Sequence, residues 1–135
     1  MNVVDSSGWL EYFADGPNAT FFAPPIENVR RLIVPSITLY EVFKNTFRQR
    51  GESDALLAIA AMNQGRVVDL NESLALSAAR ISLEHKLPMA DSMVLATARA
   101  FSATLWTQDT DFRGLSSVRL TEKGSSGLPD AKRNS

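Results

Sequence analysis

Residues 87–112 read LPMADSMVLATARAFSATLWTQDTDF, and their order decides the architecture. Pro88 suits the first turn of a helix, where its missing N–H is not needed, and MADSMVLATARAF (89–101) continues as that helix. TLWT (104–107) follows as a short strand, TDFRGL (110–115) as a turn or short helix, and VRLT (118–121) as a last strand. A helix feeding directly into a short apolar strand is half of an alternating α/β unit. Two carboxylates sit at its joints: Asp91 in the first helical turn and Asp109 just past the strand.

The same alternation runs outward through the chain. NVVD (2–5) reads as a buried strand and SSGWLEYFADG (6–16) as a helix. Ser6 or Ser7 can cap that helix, Trp9, Leu10 and Phe13 recur at helical spacing, and Gly16 ends it. A polar stretch around Asn18 leads through PPIENV to RLIVP (31–35), a strand stopped by Pro35. Ser36 offers a cap for ITLYEVFKNTFRQR (37–50), which Gly51 terminates; SDALLAIAAMNQ (53–64) is a further apolar helix closed near Gly65. RVVDL (66–70) is the third strand. NESLALSAARISLEHK (71–86) is an amphipathic helix with Leu74, Ala78, Ile81 and His85 along one face.

Short β-branched runs separated by helices indicate a parallel sheet covered on both faces. The expected fold is α/β: a three-layer α/β/α sandwich around a five-stranded, mainly parallel sheet. A strand order of 3-2-1-4-5 makes the first and fourth strands neighbours at the switch point, where ligands bind beyond the strands' carboxyl ends. Residues 1–123 form one domain, a size typical of single domains. Residues 124–135, GSSGLPDAKRNS, form a polar tail expected to be disordered.

Composition narrows the function. With 44% hydrophobic and 21% charged residues the chain is an ordinary globular protein. No apolar run approaches the roughly 20 residues of a membrane span, and no signal-peptide pattern opens the chain. Zero cysteines exclude disulfides, thiolate chemistry and Cys-based zinc sites; a cytoplasmic location fits. A net charge of −1 gives no global attraction to nucleic acid. The arginines are spread along the chain as a solvated surface, with a fraction available to a phosphate groove. The single histidine, His85, reads as a cap or surface residue, and Trp9 and Trp106 as core. There is no Walker A loop and no GxGxxG.

Four carboxylates embedded in apolar sequence therefore dominate: Asp5, Glu41, Asp91 and Asp109. Each has an ordinary reading. Asp5 can cap a helix, Asp91 can favour a helix N-terminus, and Asp109 and Asp111 can serve a turn. Glu41 lies on a helix apolar almost all round, expected to be buried, and can bridge to Lys44. Ser6 and Thr107 can orient waters or act as local caps. Jointly, four acids converging on the switch point suggest a shared counterion, and a hard divalent cation with oxygen ligands is the natural one.

In VVDSSGWLEYF, PSITLYEVF, LPMADSMVLATA and LWTQDTDF, in this order and separation, the chain resembles PIN-domain nucleases, and among them VapC-type toxins of toxin–antitoxin pairs. The resemblance covers residues 1–121. It implies a PIN-like fold and a catalytic quartet of Asp5, Glu41, Asp91 and Asp109, with Asp111 auxiliary. Asp5, Asp91 and Asp109 would hold Mg²⁺, or Mn²⁺ as substitute, and Glu41 would hold or activate the attacking water. Ser6 stands where many relatives have Thr, so the hydroxyl is kept. The implied activity is an endoribonuclease leaving a 5′-phosphate and a 3′-hydroxyl. The implied partners are RNA, an antitoxin docking a peptide over the site or near the helices at 37–50 and 53–64, and a second copy of the chain. A non-catalytic, protein-binding PIN scaffold is the alternative. A phosphoacceptor receiver domain fits poorly, because Ser6 and Ser7 stand where paired acids are needed.

Overall fold

A computed structural model describes residues 1–124. All of the expected tail but Gly124 lies outside the described residues. Five parallel strands form one sheet: β1 (Asn2–Val4), β2 (Leu32–Pro35), β3 (Arg66–Val68), β4 (Thr104–Thr107) and β5 (Val118–Leu120). Their order is β3-β2-β1-β4-β5, with Val4 registered against Trp106. β1 and β4 are therefore adjacent, and the chain leaves β1 and β2 on one side and β4 on the other. That is the switch point at which Asp5 and Asp109 emerge.

Among the described residues six α-helices cover the sheet: α1 (Ser6–Phe13), α2 (Ala19–Glu27), α3 (Ser36–Arg50), α4 (Glu52–Met62), α5 (Glu72–His85) and α6 (Met89–Ala100). Strand side chains alternate between faces, and two cores result. Val3, Ile33 and Leu105 pack with Ala78, Ile81, Val94 and Leu95 of α5 and α6. Val4, Leu32 and Val34 pack with Trp9, Phe22, Val42 and Met62 on the other face. The sandwich has three layers, as expected.

The sequence reading misses one helix and misplaces some ends. α2 contains Pro24 and Pro25, which remove two intrahelical donors and make the segment look like a loop. Its buried residues, Ala19, Phe22, Pro25 and Ile26, nevertheless keep helical spacing. α1 ends at Phe13, before Gly16, and its cap is Asp5 rather than Ser6 or Ser7. α3 is capped by backbone at Pro35 without help from Ser36. Nor is α3 buried all round: Thr38 and Val42 are its buried residues, while Tyr40 is 59% and Phe47 44% exposed. Trp106 is half-buried; Arg119 lies over its ring at 4.5 Å and its indole N–H donates to Asn2 Oδ1.

Gly8 sets how closely α1 approaches the sheet. A Cβ there would stand 2.6 Å from the Phe22 ring and 2.7 Å from Val4. With no side chain at this position, the first turn of α1 lies directly over the end of β1 and holds Asp5 inward.

Candidate metal centre

Asp5 follows β1 and is only 4% exposed. Its Oδ1 accepts from the Gly8 N–H at 3.0 Å and from Ser7 Oγ at 2.9 Å, and its Oδ2 accepts from Thr107 Oγ1 at 2.6 Å. Burial pushes the carboxyl up to about 6; the Thr107, Gly8 and Ser7 bonds pull the other way, and Asp109 adds to the rise. Asp5 is thus a helix cap and a buried carboxylate of the switch point at once.

Asp91 lies in the first turn of α6, half-buried. Burial first, and then the negative charges of Asp109, Asp5, Glu41 and Asp111, push it up to about 7. All four other acids act on this one group, so the five negative charges lie within electrostatic reach of one another at the carboxyl end of the sheet. Carboxylate oxygens of Asp91, Asp109 and Asp111 all lie within 4.8 Å of one another. Asp109 caps the 3₁₀ turn Thr110–Phe112 by accepting from the Asp111 N–H at 2.9 Å, which brings Asp111 alongside. Asp111, auxiliary in the sequence reading, therefore belongs to the tightest group, and Asp5 flanks it from the buried side.

Glu41 sits one and a half turns into α3, half-buried. Its Oε1 accepts from Ser6 Oγ at 2.8 Å. The bridge to Lys44 is absent; Lys44 is exposed, with its ammonium over the Tyr40 ring at 5.6 Å. Ser6 and Thr107 thus serve carboxylates directly. Thr107 also accepts from the Asp109 N–H at 2.9 Å, linking the two acids across the β1–β4 junction.

Among the described residues no lysine or arginine pairs with Asp5, Glu41, Asp91, Asp109 or Asp111. Crowded carboxylates without a protein cation, two of them pushed far above their ordinary range, fit a hard divalent ion as the missing charge. Sequence reasoning passed over Gln108, which is 4% exposed and hydrogen-bonded to Asn18 at 2.9 Å. A polar residue at a strand end carries no signal of burial.

Comparison with known proteins agrees with this architecture. The chain is similar to a toxin–antitoxin complex from Klebsiella pneumoniae, with a TM-score of 0.76 at 22% identity over 90% of this chain and 99% of that one. It is similar to DNA-bound VapBC from Salmonella typhimurium, with a TM-score of 0.69 at 16% identity over 90% and 98% of the two chains. It is also similar to Mycobacterium tuberculosis VapC20, described as a Sarcin-Ricin loop cleaving toxin, with a TM-score of 0.67 at 18% identity over 83% and 92%. At these identities the likeness is one of fold. No curated protein matches the sequence. The PIN domain family does match, over residues 3–117, from β1 through the acidic turn after β4. With the match spanning most of the chain, this protein belongs to the PIN domain family.

Proposed function

We propose that the chain is a Mg²⁺- or Mn²⁺-dependent endoribonuclease, the toxin of a type II toxin–antitoxin pair, acting in the cytoplasm. The observation that carries this reading is the cluster of Asp91, Asp109 and Asp111, with Asp5 and Glu41 close enough for their charges to act on it and no protein cation paired with any of the five among the described residues. Asp5, Asp91 and Asp109 would hold the ion, with Asp111 close enough to join them. When bound, Mg²⁺ supplies positive charge that polarises a phosphodiester and acidifies the attacking water. Glu41 takes the water's proton. Its Oε1 accepts from Ser6, so Oε2 is the oxygen that would take that proton. The water oxygen bonds to phosphorus, the bond from phosphorus to the 3′ oxygen breaks, and that oxygen takes a proton from solvent while Glu41 releases its own. The products are a 5′-phosphate and a 3′-hydroxyl.

A groove of about 590 Å³ between α1 and the α3–α4 pair supports the partner reading. Leu10, Phe13, Leu57 and Ala58 line it beside the charged Arg50 and Asp54, a mixture suited to an amphipathic antitoxin peptide. Exposed Leu76, Leu83 and Met89 offer apolar surface for a homodimer. No helix among the described residues is long and apolar enough to cross a membrane.

The test is cleavage of an RNA pool in Mg²⁺ by wild type and Asp5→Asn, with circular dichroism as the folding control. Cleavage lost in a folded Asp5→Asn protein supports the assignment. A folded wild type that captures an antitoxin but cuts no RNA would make the chain a binding scaffold.

A further inference from the structure

The residue before Asp109 belongs to a polar network set apart from the carboxylates. Gln108 Oε1 accepts from Asn18 Nδ2 at 2.9 Å, and the same Asn18 nitrogen donates to the Glu122 carbonyl at 2.9 Å. Glu11 Oε2 accepts from the Asn18 backbone N–H at 2.8 Å, and Glu11 Oε1 lies 3.4 Å from Gln108 Nε2. Asn18 and Gln108 are 5% and 4% exposed. The Glu11 carboxylate lies against Gly16, in the space a Cβ there would take. Three separate stretches of chain are thereby tied to one point: the α1–α2 turn, the end of β4 and the segment after β5.

The placement matters because oxygens of Asp109, Asp91 and Asp111 lie within 4.8 Å of one another, so the direction of Asp109 decides whether the three converge on one ion. Thr107 fixes the Asp109 N–H from one side. Gln108 anchors the adjoining peptide from the other. A buried amide pair is not needed for stability alone, because apolar groups of the same shape serve nearly as well in a core. It does fix direction and register, which a metal ligand requires.

We propose that Glu11, Asn18 and Gln108 are positioning residues for Asp109, holding it in the geometry that binds the metal. The inference rests on the metal reading above. The outer partners of metal ligands commonly change affinity by about 10–100-fold when removed. Gln108→Met and Asn18→Ala should therefore weaken metal binding by about 10-fold. Glu11→Gln, which keeps one oxygen acceptor for the Asn18 N–H, should weaken it by less.

The experiment measures Mn²⁺ binding to the full chain at pH 8 by the electron paramagnetic resonance signal of free Mn²⁺. Melting temperature in chelator runs alongside. Met62→Ala serves as the stability control, since Met62 is fully buried and ends the helix before β3, at the sheet end away from the acids. The expected result is weaker Mn²⁺ binding in all three network variants and wild-type affinity in Met62→Ala despite its lower melting temperature. Wild-type affinity in folded Asn18→Ala and Glu11→Gln overturns the proposal while leaving the metal reading intact. A loss of affinity in Met62→Ala matching that of the network variants also overturns it, since the effect would then be general destabilisation. No Mn²⁺ binding by the wild type removes the metal reading and this one with it.

Discussion

Thr107 joins the two acids that the topology makes neighbours: its hydroxyl donates to Asp5 Oδ2 at 2.6 Å and accepts from the Asp109 N–H at 2.9 Å. The bond to Asp5 favours the ionised carboxylate and opposes the burial that raises it. Thr107→Val keeps the shape and removes both bonds. Asp5 should then titrate higher than about 6, and the acidic limb of the activity–pH profile should move to higher pH. One buried and one part-buried polar group lose partners, so stability should fall by about 1–3 kcal/mol. Thr107→Ser should restore both. A pH–rate profile and a urea melt of the three proteins check this.

Asp91 should make stability depend on pH and, under the proposed function, on metal. Its folded value of about 7 lies well above its ordinary 3.8. Between those values the folded state binds more protons than the unfolded state, so stability falls as pH rises through that window. The metal-free protein should lose stability from about pH 4 to pH 7, and above that the full cost persists. Asp91→Asn should flatten this slope and raise the melting temperature in chelator at pH 8. Mn²⁺ should raise the wild-type melting temperature by mass action and affect the variant less. A wild type that melts higher in chelator than Asp91→Asn at pH 8 contradicts the crowding argument.

Glu41 answers to Ser6, not to Lys44. Lys44→Met should therefore leave both cleavage and stability near wild type. Glu41→Gln keeps an oxygen to accept from Ser6 and should fold normally, yet lose cleavage by about 10²-fold or more, as expected for removal of a general base. Matched thermal melts and cleavage rates separate the outcomes; a stability loss shared by Lys44→Met and Glu41→Gln would restore the structural bridge.

Gly8 gives a packing test. Gly8→Ala forces a methyl into the Phe22 and Val4 contact. It should cost about 1–3 kcal/mol, the usual range for overpacking, and disturb the Gly8 N–H bond to Asp5. Denaturant unfolding and Mn²⁺ affinity should fall together.

Much of this was legible in sequence because strand ends and caps are local. NVVD and TLWTQD announce strands that stop at acids, and the alternation with helices dictates parallel pairing. α2 was hidden because Pro24 and Pro25 suppress a helix signal even where Phe22 and Ile26 keep the spacing. The Ser6 partner of Glu41 leaves no local signal for a different reason. Lys44 is near it along the helix, whereas Ser6 is 35 residues away and meets it only in the folded chain. Asp111 gained its place through a 3₁₀ turn whose tightness no periodicity reveals. The Asn18–Gln108 bond spans 90 residues and had no local trace.

If these carboxylates direct metal-dependent hydrolysis of RNA, the chemistry of the cut ends must show it. Purified wild type should generate 5′-phosphate and 3′-hydroxyl ends in Mg²⁺ or Mn²⁺, none in chelator, and none with Asp91→Asn. Cleavage that persists in chelator and leaves 2′,3′-cyclic phosphate ends would contradict the account, because the 2′-hydroxyl, not water, would then be the nucleophile.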